Sequence, residues 1–103
     1  MRMREVFYND LSDEVAEQSA KMTKKFATGF FKSEASYAPF KHMPSWYLIC
    51  ENDQAIPVVA QEAMTSQPGA NFTIERCSAS HSPFLSMPDL TAEFVRRAAG
   101  ESI

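Results

Sequence analysis

Two residues in this sequence have types and positions suited to acid–base chemistry. Asp53 stands in the polar turn Glu51-Asn52-Asp53-Gln54, three residues past the end of an apolar run, and His81 stands a few residues past a second strand-like segment. In open α/β sheets, functional groups gather just beyond the carboxyl ends of the strands. If the two segments are neighbouring strands, their loops emerge side by side. A carboxylate beside an imidazole fixes its tautomer and stabilises the imidazolium when the ring takes a proton. Residue types alone leave plainer readings open: an Asp after a strand also serves as a turn-former or helix cap, and a His in a Ser-rich loop is often simply exposed.

An acid and a base need a nucleophile. A nucleophile elbow of the form G-x-S-x-G is absent, because the glycines are Gly29, Gly69 and Gly100 and no pair has the spacing. Ser80 and Ser82 flank His81 directly, which places their hydroxyls poorly for its distal nitrogen, and nothing marks the more distant Ser86 as strained or exposed. No residue here is therefore marked as the nucleophile that acyl-transfer catalysis would need. His42, Cys50, Cys77 and His81 form a conceivable zinc set, but their spacing fits no short-range metal motif. No metal and no other cofactor is expected. Two cysteines are too few for a disulfide framework and read as buried thiols, although their positions near the ends of adjacent strands make a bond conceivable.

The elements that must position Asp53 and His81 follow from patterning. The chain has 103 residues, 45% hydrophobic and 22% charged, which suits at most one globular domain. Ser12 is a good N-cap with Asp13 and Glu14 in the first turn. Leu11, Val15, Ser19, Met22 and Phe26 recur at helical spacing, and Gly29 follows. Residues 30–44 read as irregular or as containing a short helix, with Phe30, Phe31, Tyr37 and Phe40 supplying aromatic bulk. Trp46-Tyr47-Leu48-Ile49-Cys50 is an unbroken apolar run of strand length, the mark of a strand covered on both faces of a parallel sheet. Pro57 suits the start of a helix whose inner face would be Val58, Val59, Ala63 and Met64, ended by Gln67-Pro68-Gly69. Residues 71–77 read as a second strand with Phe72 and Ile74 on one face. Pro88 opens a last helix with Leu90, Phe94, Val95 and Ala98 apolar and Gly100 as its stop.

The order is helix, strand, helix, strand, helix. A helical crossover makes the two strands parallel. Such a sheet does not close on itself: two parallel strands leave two edges of unpaired backbone groups, and the Trp46 strand is too apolar for an exposed edge. The sequence therefore reads as one end of a larger sheet, completed by another chain, by residues outside this one, or by self-association.

Two loops carry a family resemblance. Cys50-Glu51-Asn52-Asp53-Gln54-Ala55-Ile56-Pro57, followed by Gln61 and Met64, resembles the acid loop of α/β-hydrolases. Ala79-Ser80-His81-Ser82-Pro83-Phe84-Leu85-Ser86-Met87-Pro88 is similar to their histidine loop. Both are closest to the branch of methylesterases and hydroxynitrile lyases. Phe7-Tyr8-Asn9-Asp10-Leu11-Ser12 and the helix after it resemble the end of that branch's cap. Asp before His is also the chain order of the family, in which Ser comes first. The resemblance implies an α/β fold, the C-terminal part of an α/β-hydrolase, with two parallel strands, flanking helices and an incomplete sheet. It assigns residues 1–44 to the end of the cap and its connection to the core, and residues 45–103 to the last two strand–helix units. It makes Asp53 and His81 the triad acid and base of a serine hydrolase acting on small carboxylic esters, with a cyanohydrin lyase as a variant in the same branch. These residues by themselves would then be inactive. The alternative is a non-catalytic module that pairs through its open sheet edge.

Charge excludes further classes. The net charge of -3 and pI near 5.3 argue against nucleic acid, which wants a basic face. Lys21, Lys24, Lys25 and Lys32 read as the solvated side of a helix. No apolar run approaches the roughly 18–20 residues needed to span a bilayer, and no apolar stretch follows the basic N-terminus as in a signal peptide. No membrane partner and a cytoplasmic location are expected.

Overall fold

The computed structural model describes residues 3–24, 34 and 36–103. Helix α1 (Met3–Phe7) precedes α2 (Asp13–Lys21), and a 3-10 turn (Pro39–Lys41) leads into strand β1 (Ser45–Cys50). Then come α3 (Val58–Thr65), β2 (Phe72–Cys77), the single turn α4 (Pro83–Ser86) and α5 (Pro88–Ala98). None of the described helices is long and apolar enough to cross a membrane.

The strands pair in parallel, with Ser45 opposite Phe72 and Cys50 opposite Cys77. Together with the flanking helices they form an α/β unit whose two-stranded sheet is incomplete. Partnered positions share a face because side chains alternate along each strand. Trp46, Leu48 and Cys50 therefore lie on one face with Thr73, Glu75 and Cys77. Helix α5 covers that face. Phe94 meets Trp46 edge-on at 6.0 Å, and Leu48, Met87 and Leu90 pack around the buried Cys50, Cys77 and Ala79. Arg97 grips Glu75 with two hydrogen bonds of 2.6 and 3.0 Å, which hold the Glu75 carboxyl below its usual range. Ile49, on the other face, is fully buried, and Arg76 on that side reaches Glu62 of α3 at 2.8 Å.

Local chemistry sets the helix ends. Ser12 caps α2 by accepting the Val15 N–H at 3.4 Å. Gly100, at φ +102°, ends α5 in the left-handed conformation, so that Gly100 N–H reaches Arg97 O and Glu101 N–H reaches Arg96 O, each at 3.0 Å. Arg4 ties α1 to α2 through ion pairs with Asp13 and Glu17.

Three expectations change. Helix α1 precedes the expected first helix, over residues whose periodicity was too short to register. In α2 the buried residue is Ala16, whereas Val15 and Met22 are 41% and 78% exposed, so the packed face is turned away from the apolar stripe. Phe26, Gly29, Phe30, Phe31, Lys25 and Lys32 lie outside the described residues. In α3 the expected inner face is also displaced: Val59 is 78% exposed, while Gln61 and Thr65 are buried.

The burial of Gln61 has a backbone cause. Ser45 N–H and Glu51 N–H bond to Asn71 O and Cys77 O on the β2 side. Alternation turns the backbone groups of Trp46, Leu48 and Cys50 toward the opposite, open edge. The Gln61 amide closes the last of these positions, as a strand residue would: Oε1 accepts Cys50 N–H at 3.0 Å, and Nε2 donates to Cys50 O at 3.0 Å and to Ile56 O at 2.8 Å. An apolar replacement leaves these groups unmet at a buried site. Gln61→Leu is expected to lower stability by about 2–3 kcal/mol, read as a lower urea midpoint at unchanged m-value.

Candidate active site

The sheet ladder continues one step past β1. Glu51 N–H bonds Cys77 O at 3.0 Å and Asn52 N–H bonds Ala79 O at 3.1 Å, so the two loops leave the sheet together. The Asn52 side chain also donates to Ser78 O. The chain then turns, with Asp53 N–H bonded to Cys50 O at 3.3 Å.

Asp53 uses both carboxylate oxygens. Oδ1 accepts the backbone N–H groups of Ala55 and Ile56 at 2.8 and 2.9 Å, an Asx turn that fixes the side chain to its own loop. Oδ2 lies 3.0 Å from His81 Nδ1. The turn-forming and imidazole-orienting readings of this residue are thus both met, one by each oxygen. The Asp53 side chain is 6% exposed and that of His81 33% exposed. A carboxylate has only lone pairs to offer, so Nδ1 is the donor, and the neutral ring presents a lone pair at Nε2. No hydrogen bond to Nε2 comes from the described residues. The Phe7 ring lies against the imidazole, centroids 5.0 Å apart at 57°.

This arrangement can take up a proton at Nε2 and stabilise the resulting imidazolium with a buried carboxylate. None of the nearby serine hydroxyls is hydrogen-bonded to it: Ser80 and Ser82 are buried in the loop, and Ser86 Oγ is buried without a partner among the described residues. Cys50 and Cys77 are free thiols at the last strand rung, Sγ atoms 3.9 Å apart. Burial, reinforced by Cys77, pushes the Cys50 thiol up to about 12, which keeps it protonated and unreactive at neutral pH. His42 is stacked on Tyr37 at 4.9 Å, and no group of three His, Cys, Asp or Glu among the described residues is placed to share a metal ion.

Sequence reasoning did not find the supporting residues. Gln61 looked like one more loop-match position, and its role follows only once the open edge is located. Asn9 and Asp10, whose side chains reach the histidine loop, are far away in sequence; Ser80 N–H donates to Asp10 Oδ2 at 2.8 Å across 70 residues. A cavity of about 230 Å³ lies between the N-terminal segment and α4, lined by Tyr8, Ser19, Met22, Phe84 and Leu85. The apolar stripe of α2 thus contributes Ser19 and Met22 to a cleft and not to a core.

Comparison with known proteins bears on this fold and these loops. Residues 1–94 match the family model described as Alpha/beta hydrolase family. The chain is 38% identical over 102 residues to the protein named Alpha/beta hydrolase nvfD from Aspergillus novofumigatus (strain IBT 16806), a match covering 99% of this chain and 41% of that protein. It therefore spans about two-fifths of the length of this relative. With a parallel α/β unit and matching sequence over most of its length, the chain belongs to the alpha/beta hydrolase family.

Proposed function

We propose that this chain supplies the acid and base of a serine hydrolase that cleaves small carboxylic esters. Asp53 orients His81, and His81 is the general base toward a serine that lies outside these 103 residues. The observation that carries the reading is the Nδ1–Oδ2 contact of 3.0 Å, made by a carboxylate whose other oxygen is held by two backbone N–H groups. An acid fixed in this way keeps the ring in one tautomer and one orientation. The same assignment makes residues 1–44 the end of a cap and residues 45–103 the last two strand–helix units of the core, in the methylesterase and hydroxynitrile lyase branch. Hydrolysis is favoured over cyanohydrin cleavage by analogy with the family. Two free buried thiols support a reducing compartment such as the cytoplasm.

A second reading draws on the sheet edge. Cys50 is capped by Gln61, but the backbone groups of Trp46 and Leu48 face the side away from β2. This favours a module that pairs with a complementary chain or a second copy, and such pairing is compatible with completing the enzyme.

Residues 1–103 alone are expected to show no hydrolysis of a p-nitrophenyl ester, whereas the same residues joined to a segment bearing G-x-S-x-G are expected to hydrolyse it. In that active form, Asp53→Asn should lower kcat by about 10⁴ and His81→Ala by about 10⁶. Serine-dependent cleavage by residues 1–103 alone, lost on His81→Ala, would defeat the assignment. For the edge-pairing reading, sedimentation of the isolated chain should reveal a concentration-dependent dimer or larger species; a monomer that melts cooperatively would count against it.

A further inference from the structure

Ser80, immediately before His81, is fully buried, so its polar groups need partners inside the protein. The partners come from the other end of the chain. Asp10 Oδ2 accepts the Ser80 N–H at 2.8 Å, and Asn9 Oδ1 accepts the Ser80 hydroxyl. Asn9 also turns the other way, and its Nδ2 donates to Asn52 O at 3.3 Å. Asn52 immediately precedes Asp53. One side chain therefore bridges the residue before the acid and the residue before the histidine, while its neighbour holds the histidine loop by the backbone.

We propose that Asn9 and Asp10 are positioning residues that clamp the acid loop to the histidine loop and set the separation of Asp53 from His81. The inference rests on reading Asp53 and His81 as the acid–base pair. Its logic is geometric. Asp53 is fixed to its own loop by the Asx turn, and the sheet ladder fixes the start of each loop. Asn52 holds Ser78 O and Ala79 O, and beyond them the described hydrogen bonds on the histidine loop before the imidazole are the two at Ser80. Loss of either lets His81 move relative to an acid that stays in place. The N-terminal segment would then act on the proton relay without touching a reacting atom, and Phe7, on the imidazole, belongs to the same segment.

The test is NMR on the 15N-labelled chain, following solvent exchange of the His81 Nδ1 proton, with His42 as internal control. Asp53→Asn is expected to remove the hydrogen-bonded Nδ1 signal. Ser80→Ala, Asn9→Ala and Asp10→Ala are each expected to speed exchange about fivefold to tenfold, the effect of losing one hydrogen bond. Asp10→Asn, which keeps an acceptor for Ser80 N–H, should restore exchange to within about twofold of the parent. His42 should not respond. Ser80→Ala removes one oxygen atom and is the variant least able to unfold the chain, so it decides the matter if Asp10→Ala does not fold. Unchanged exchange in folded Ser80→Ala and Asn9→Ala, with the Asp53→Asn effect intact, would overturn the clamp and leave the acid–base pair standing. An Asp53→Asn variant with His81 unaltered would overturn the pair itself.

Discussion

The parallel ladder between β1 and β2 ends on the rung that sets Cys50 against Cys77, and that rung decides where two loops leave the sheet. Parallel strands send both carboxyl ends the same way, so Asp53 and His81, 28 residues apart, begin from adjacent points. Register matters as much as direction. A one-residue slip would swap the two faces of β2 and turn Glu75 away from Arg97 toward the face of Ile49. The same slip would shift the start of the His81 loop by about 3.3 Å relative to the Asp53 loop, more than the margin of a hydrogen bond.

The edge of that ladder explains why the crossover helix, though largely apolar, buries the polar Gln61. A strand in the middle of a sheet has its backbone satisfied on both sides; here one side of β1 faces no described strand. At Cys50, where the acid loop begins, the Gln61 amide meets both backbone groups and also holds Ile56 O at the far end of the loop. The Asp53 turn is consequently closed at both ends, from the sheet by Gln61 and from within by its own carboxylate. A hydrophobic residue at this position would add contact area and lose the closure, and buried unmet backbone groups outweigh the area gained.

Much of this architecture is legible in the sequence because it rests on local signals. The apolar run of residues 46–50, the Ser12 cap, Pro88 and Gly100 mark elements by mechanisms that act within a few residues. The adjacency of Asp53 and His81 is legible because each sits just past a strand and because the loops around them resemble those of a family. What was not legible depends on distance in the chain. The Val59 and Met64 face looked like core because periodicity reports amphipathicity and not which face a sheet edge will demand. Asn9 and Asp10 fall within the cap-like motif of residues 7–12, but nothing local ties them to the histidine loop until it is placed beside them.

The exposure of Val59, Met22 and Phe84 belongs to the same account. A two-stranded parallel sheet has too little surface to bury every apolar side chain that its helices present. Apart from Ala16 and Thr65, the buried ones among the described residues, Ile49, Gln61, Ser80, Ser82, Ala79 and the two thiols, lie near the carboxyl end of the strands. Among the described residues, the most fully enclosed polar side chains, Gln61 and Ser80, are those that hold the acid loop and the histidine loop. Burial among the described residues is therefore concentrated around the pair and the small apolar cluster beneath it, where the backbone bonds of the two loops join the strand ends.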